Sequence, residues 1–147
     1  MEPRWDPVSA STDPGRCLPG SVFLHASILT RWPAWTGNAG CYLHNGKTDA
    51  GTPSFHARGR ANDTWVATGH VPVGDEIFAW AHANRNEIGL NEVIFNGRIW
   101  RADHPEKGIH AYTVNPHRDH VHLAINLDGA RMGLPWYQHQ GHTPTAQ

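Results

Sequence analysis

Ten residues constrain this chain more than any other stretch: Ser54-Phe55-His56-Ala57-Arg58-Gly59-Arg60-Ala61-Asn62-Asp63. They act together with Asp119-His120-Val121-His122, far downstream. His56, Asp63 and His122 offer two imidazoles and a carboxylate, a donor set suited to a catalytic zinc ion with one coordination position open. His56 and Asp63 are seven residues apart, too far for one helical turn, so a loop entering a strand is expected to unite them. Gly59 and Ala61 are small and are expected to leave room where the backbone passes the ion. Any fold this sequence adopts has to bring the two segments side by side.

The remaining composition narrows the field. A chain of 147 residues fits one domain. Such a domain buries roughly two-thirds of its unfolded surface, so it needs neither a metal nor a disulfide merely to fold. Hydrophobic content of 39% with 17% charged residues argues against disorder. A formal charge of −1 gives no pull toward nucleic acid or an anionic membrane. No run reaches the ~18 apolar residues of a membrane span. The Pro-rich N-terminus lacks the basic-then-apolar pattern of a secretory signal. The expectation is a soluble chain, cytoplasmic as synthesised. Cys17 and Cys41 suffice for one disulfide, but spacing does not decide whether they pair. Without a CxxC pair, a cysteine-based zinc site is not expected. Histidine is over-represented, 12 in 147, including His139 and His142 near the C-terminus; count alone identifies no ligand.

In chain order, residues 1–20 read as an irregular arm broken by Pro3, Pro7, Pro14 and Pro19. Ser21 is placed to cap a helix to Arg31 whose apolar side includes Val22, Leu24 and Ile28, and Pro33 stops it. The tryptophans of 32–37 read as packing residues in a turn, and 37–53 as loop. A second helix is expected over Val71–Asn84, with Asp75 and Glu76 in its first turn. Asn96-Gly97 between Glu92–Phe95 and Arg98–Trp100 is a type I′ hairpin signal. A polar loop then runs over 103–118, where His104, His110 and His117 have no ligand spacing and His117 is the one placed to line a pocket. In His120–Ile125, Val121, Leu123 and Ile125 alternate with His120, His122 and Ala124. Two imidazoles on one face of a core strand mark that face as a site. The single domain is expected over 21–136, with a polar tail over 137–147. The element order implies α+β, with helices against a small antiparallel sheet.

Hydrolysis at such an ion needs a base near the attacking water. Asp119, at the entrance of the last strand, is the expected general base, and His120 is placed to polarise the scissile carbonyl. Strict alternation points Asp119 away from His122, so a bend has to turn it inward. Taken singly, a His-x-His pair in a His-rich chain is incidental and an Asp caps a turn; only the combination carries chemistry. HExxH, Gly-rich phosphate loops and Gly-x-Ser-x-Gly are absent.

Ser54-x-His56-x-x-Gly59-x-Ala61-x-Asp63 followed by Asp119-x-x-His122 resembles the paired motif of the D-Ala-D-Ala carboxypeptidase and L-Ala-D-Glu endopeptidase family. That family shares a zinc fold with lysostaphin-type peptidases and the hedgehog signalling domain. The resemblance covers about residues 21–127. It implies His56, Asp63 and His122 as zinc ligands, Asp119 as general base, His120 as a catalytic aid and Ser54 as a support of the loop. Asn62, Thr64 and Trp65 depart from its usual pattern. The implied activity is cleavage of peptidoglycan stem peptides, as a phage or bacterial cell-wall lysin that reaches the wall after release. Arg58, Arg60 or Arg118 is expected to hold a substrate carboxylate. The alternatives are a zinc-containing binding module of the hedgehog type without hydrolysis, and a hydrolase of an amide outside the wall.

Overall fold

The computed structural model describes residues 2–139. Its elements are α1 (Pro19–Arg31), β1 (Thr36–Gly40), β2 (Ala61–Val66), α2 (Val71–Ala83), α3 (Arg85–Ile88), β3 (Leu90–Phe95), β4 (Arg98–Arg101), β5 (His110–Ala111), β6 (His120–Ile125), α4 (Leu127–Ala130) and α5 (Pro135–His139). The strands form one sheet in the order β1-β2-β6-β3-β4-β5, and every adjacent pair is antiparallel. The fold is therefore α+β, as expected.

Local sequence explains the best-defined parts. Asn96 and Gly97 both adopt positive φ, 49° and 78°, as a type I′ turn requires, and they close β3 onto β4. Pro19 opens α1 at a position where its missing N–H costs nothing. The expected cap at Ser21 is three residues late: Leu18 is the cap residue, and Ser21 is buried inside the helix. Val22, expected on the apolar side, is 53% exposed, while Phe23, Leu24 and Ile28 face the core. In α2, Asp75 and Glu76 lie beyond the first turn; they pair with Arg98 and with the Trp32 indole instead.

The sheet has two unlike faces. Val66, Val93, Phe95, Val121, Leu123 and Ile125 point to the helical layer and pack with Leu24 and Ile28 of α1 and Ile77 and Phe78 of α2. Each fully buried aliphatic side chain contributes roughly 1.5–3 kcal/mol, which makes this face the main source of stability. On the other face β2, β6 and β3 present Asp63, His120, His122 and Glu92. Among the described residues, no helix is long and apolar enough to cross a membrane.

Several segments differ from expectation. β1 lies in the Gly/Asn-rich stretch expected to be loop; pairing with β2 supplies the hydrogen bonds that its residues do not favour intrinsically. The expected 103–118 loop contains β5, an edge strand beside β4. Tyr137, placed at the start of the expected polar tail, is fully buried and donates to the Ile88 carbonyl. The rest of that tail from 140, including His142, lies outside the described residues.

The arm is irregular apart from one 3-10 turn, Val8–Ala10. Buried polar groups hold it against the sheet. Arg60 has no exposed surface; its guanidinium donates to the carbonyls of Asp6, Pro7 and Ile125. Asn91 brackets the Asp6 backbone, accepting from its N–H and donating to its carbonyl. The Asp6 carboxylate accepts from Leu127 N–H. Burial lowers the Arg60 pKa to about 10, so it stays charged at neutral pH and bonds these carbonyls as a cation.

Two predictions follow from this packing. Gly59 has φ 66°, and a Cβ there would sit 2.2 Å from the Arg16 carbonyl oxygen. Its smallness serves the approach of the chain entering α1, not clearance around an ion. Gly59→Ala is expected to destabilise by about 2–5 kcal/mol, read as a lower denaturant midpoint at unchanged slope. His25 in α1 is buried, and desolvation pushes its pKa down to about 4. The unfolded chain binds this proton near pH 6.5 and the folded chain resists it. Stability is therefore complete above pH 6.5 and falls between 6.5 and 4, by on the order of 3 kcal/mol for this group. His25→Gln should flatten that part of the stability–pH curve; an unchanged slope would remove His25 as its source.

Candidate metal centre

The pairing of β2 with β6 sets Asp63 directly opposite His122. The 3-10 turn Phe55–Arg58, closed by the left-handed Gly59, brings His56 to the other side of Asp63. His56 Nε2 lies 3.2 Å from Asp63 Oδ2, and His122 Nδ1 lies 3.2 Å from Asp63 Oδ1. Ligand atoms of all three residues fall within 4.8 Å of one another. Tetrahedral ligands at about 2.0–2.2 Å from zinc stand roughly 3.3–3.6 Å apart, so both imidazoles are already at ligand spacing from the carboxylate. The cluster can hold a metal ion with little movement.

The far nitrogen of each imidazole is already engaged. His56 Nδ1 donates to the Cys41 carbonyl at 2.7 Å. His122 Nε2 donates to Glu92 Oε2 at 2.8 Å. Each ring therefore turns its other nitrogen toward Asp63, the arrangement found around metal-bound histidines. Burial opposes charge on His122, but hydrogen bonds to Asp63 and Glu92 outweigh it and hold its pKa up at about 10. Desolvation works to raise the Asp63 pKa; the hydrogen bonds from His122 and His56 override it and keep the carboxylate ionised far below its ordinary range. Glu92 follows the same logic, with His122 overcoming burial to lower its pKa. The site is thus two carboxylates around an imidazolium, and a divalent cation is a natural replacement for the proton at its centre.

The cluster forms the floor of a cleft of about 680 Å³. Trp5 and Val8 of the arm make one wall and pack with Phe55, next to His56. Segment 47–54 makes another, with Ser54 lining the cleft while its backbone ties to Gly46 and Ala57. His117 closes the remaining side. Its backbone is left-handed, φ 53°, its Nδ1 donates to the Asn115 carbonyl, and its ring lies 4.8 Å from that of His120.

The other expected site residues divide sharply. His120 lines the cleft with Nε2 3.9 Å from Asp63 Oδ1. Arg58 also lines it, with Nε donating to the Val8 carbonyl. Arg60 does not: it is buried in the arm anchor, and its guanidinium donates to three main-chain carbonyls and to the Ser11 hydroxyl. Arg118 is exposed and is not among the cleft residues. Asp119 is not among them either. Its side chain is 81% exposed, and Oδ1 sits 2.7 Å from His120 Nδ1. The bend needed to turn it inward is missing because its backbone carbonyl continues the ladder, accepting from Val66 N–H. The carboxylate beside the ligands is Glu92, which the sequence reading placed only in a hairpin strand. Its signal was an acid two residues before Ile94 in a strand whose Val93 and Phe95 face the core.

Fold and site together define a small α+β domain with a cluster able to hold a metal ion on the helix-free face of its sheet. The chain belongs to the family whose model is described as VldE, C-terminal domain, which matches residues 13–122. That span begins after the arm's first residues and includes His56, Asp63 and His122. No curated protein and no solved structure matches the chain.

Cys17 and Cys41 are joined by a disulfide, so the residue whose carbonyl orients His56 is tied to the segment leading into α1. Reduction is expected to lower metal affinity by about tenfold, the low end for losing an outer-shell contact. It should also cost about 3 kcal/mol of stability, the chain-entropy value for a loop of 24 residues. Competition titration with a chromophoric chelator, with and without reductant, measures the first effect; equal affinities would uncouple the disulfide from the site.

Proposed function

We propose that this protein is a zinc-dependent hydrolase of peptide bonds in bacterial peptidoglycan stem peptides. The observation that carries the reading is the His56–Asp63–His122 cluster at the floor of an open cleft, with a further imidazole beside it. Two histidines and a carboxylate suit zinc with a free coordination position. When bound, such an ion supplies Lewis acidity toward a carbonyl oxygen and makes water a better nucleophile at neutral pH.

The chain's own residues account for the rest. His120 holds Nδ1–H against Asp119 and turns Nε2 toward the cluster, so it accepts the proton of the attacking water and returns it to the leaving amine. This moves the base from Asp119 to His120 and makes Asp119 its positioning residue. Arg58, which lines the cleft, would hold a substrate carboxylate. Arg101 also borders the cleft but forks onto Asp103. The apolar wall of Trp5 and Val8 excludes water on the opposite side and suits a small alkyl side chain beside the scissile bond.

The exposure of Asp119 favours a second reading, a zinc-containing module that binds without cleaving. The test is metal analysis of wild type and His56→Ala together with mass spectrometry of digested peptidoglycan. Wild type should hold one zinc and release peptide fragments, and His56→Ala should do neither. His120→Ala should keep zinc and lose about 10²–10⁴-fold in turnover, and Asp119→Asn at least about tenfold. A zinc-loaded wild type that leaves both peptidoglycan and isolated stem peptides intact would decide for the binding module.

A further inference from the structure

Glu92 is a mostly buried acid to which the proposed reaction gives no task. It sits on β3 with its carboxylate in the cleft floor, and its side chain is 13% exposed. Its neighbours Val93 and Ile94 are apolar and buried. An acid placed among them costs several kcal/mol unless it is paired, and an apolar residue would suit the strand better. The register gives its partner. Glu92 pairs with Ala124 and Ile94 with His122, so Glu92 and His122 are diagonal neighbours on the same face. The contact is a 2.8 Å hydrogen bond from Nε2 of the ring to Oε2.

The ring separates Glu92 from the ligand cluster. Asp63 is bonded at Nδ1, and Glu92 is bonded at Nε2 on the opposite side of the imidazole. The group whose atoms lie within 4.8 Å of one another contains His56, Asp63 and His122 and leaves Glu92 out. A direct ligand role therefore fails on geometry. A role as base also fits poorly, since the hydrogen bond aims the carboxylate at the ring and not at the ion position. What remains is control of the ring itself. An imidazole has one lone pair when neutral, and the nitrogen that carries the proton is set by its outer partner.

We propose that Glu92 is the positioning residue of the metal centre: by accepting Nε2–H from His122 it commits Nδ1 of that ring to the ion. Cys41 does the same for His56 with a backbone carbonyl, so the two ligand histidines are held by one neutral and one ionised acceptor. The ionised one strengthens its ring as a donor, because a carboxylate draws the Nε2 proton toward itself. This inference rests on the cluster binding a divalent ion and is independent of which bond, if any, the protein cleaves.

The experiment is zinc affinity by chelator competition for wild type, Glu92→Gln and Glu92→Leu, with long-range ¹H–¹⁵N correlation spectra of the zinc-loaded imidazoles. Glu92→Leu should bind zinc about 10–100-fold more weakly, compared under conditions where circular dichroism shows the metal-free variant and wild type both folded. Glu92→Gln keeps an acceptor oxygen and should recover most of that affinity. The spectra should show His122 protonated at Nε2 and coordinated through Nδ1 in wild type and Glu92→Gln, and a mixture of tautomers in Glu92→Leu. Wild-type zinc affinity in Glu92→Leu, or coordination of wild-type His122 through Nε2, would overturn the assignment. Wild type that takes up no zinc would instead remove the metal centre itself, and this role with it.

Discussion

Asp63 facing His122 across the β2–β6 ladder is the contact on which the rest of the site depends. Strand pairing holds the two side chains on one face at a spacing that backbone hydrogen bonds enforce. The same ladder sends Val121 and Leu123 into the core from the opposite face, with Val66 beside them. A shift of one residue would exchange the two faces, putting imidazoles into the core and aliphatic side chains into the cleft. The hydrophobic layer and the polar cluster therefore enforce the same register. Core packing is what makes a group of like-facing ionisable side chains tolerable there.

Around that contact the protein builds an outer layer of constraint. His56 is held by Cys41, and Cys41 by the disulfide to Cys17. His122 is held by Glu92, and His120 by Asp119. His117 is held by its own left-handed backbone and Asn115. Each imidazole of the cleft thus has one nitrogen engaged away from the centre. Fixing rings beforehand lowers the ordering cost of binding an ion or a substrate. The arm contributes differently. Arg60, lying in sequence between His56 and Asp63, buries its charge to fasten Asp6 and Pro7, and so places Trp5 and Val8 over the sheet as a wall.

The hairpin at Asn96-Gly97, helix α2 and the alternation of His120–Ile125 were legible because local rules govern them: positive φ at a turn, helical spacing, strand period. The meeting of His56, Asp63 and His122, a group able to hold a metal ion, was legible in the two motifs that contain them. Strand β1 was not legible, since Thr36–Gly40 is strand through pairing and not through propensity. Arg60 and Asp119 were misplaced for related reasons. In both, main-chain bonding decides: distant carbonyls that nothing nearby in sequence announces bury Arg60, and a ladder bond keeps Asp119 outward, the side to which strand alternation already assigned it.

By itself the sequence determined the chemistry available: two histidines and an aspartate as donors, a histidine and an aspartate beside them, and alternating apolar residues to support them. Tertiary structure alone decided which groups meet. It paired Cys17 with Cys41, turned Glu92 toward His122, carried the arm to the cleft and left Arg118 outside it. The reason is physical. Periodicity and turn preferences act over a few neighbouring residues. The partner of a buried charge is chosen by the whole fold, wherever the backbone brings an acceptor within about 3 Å.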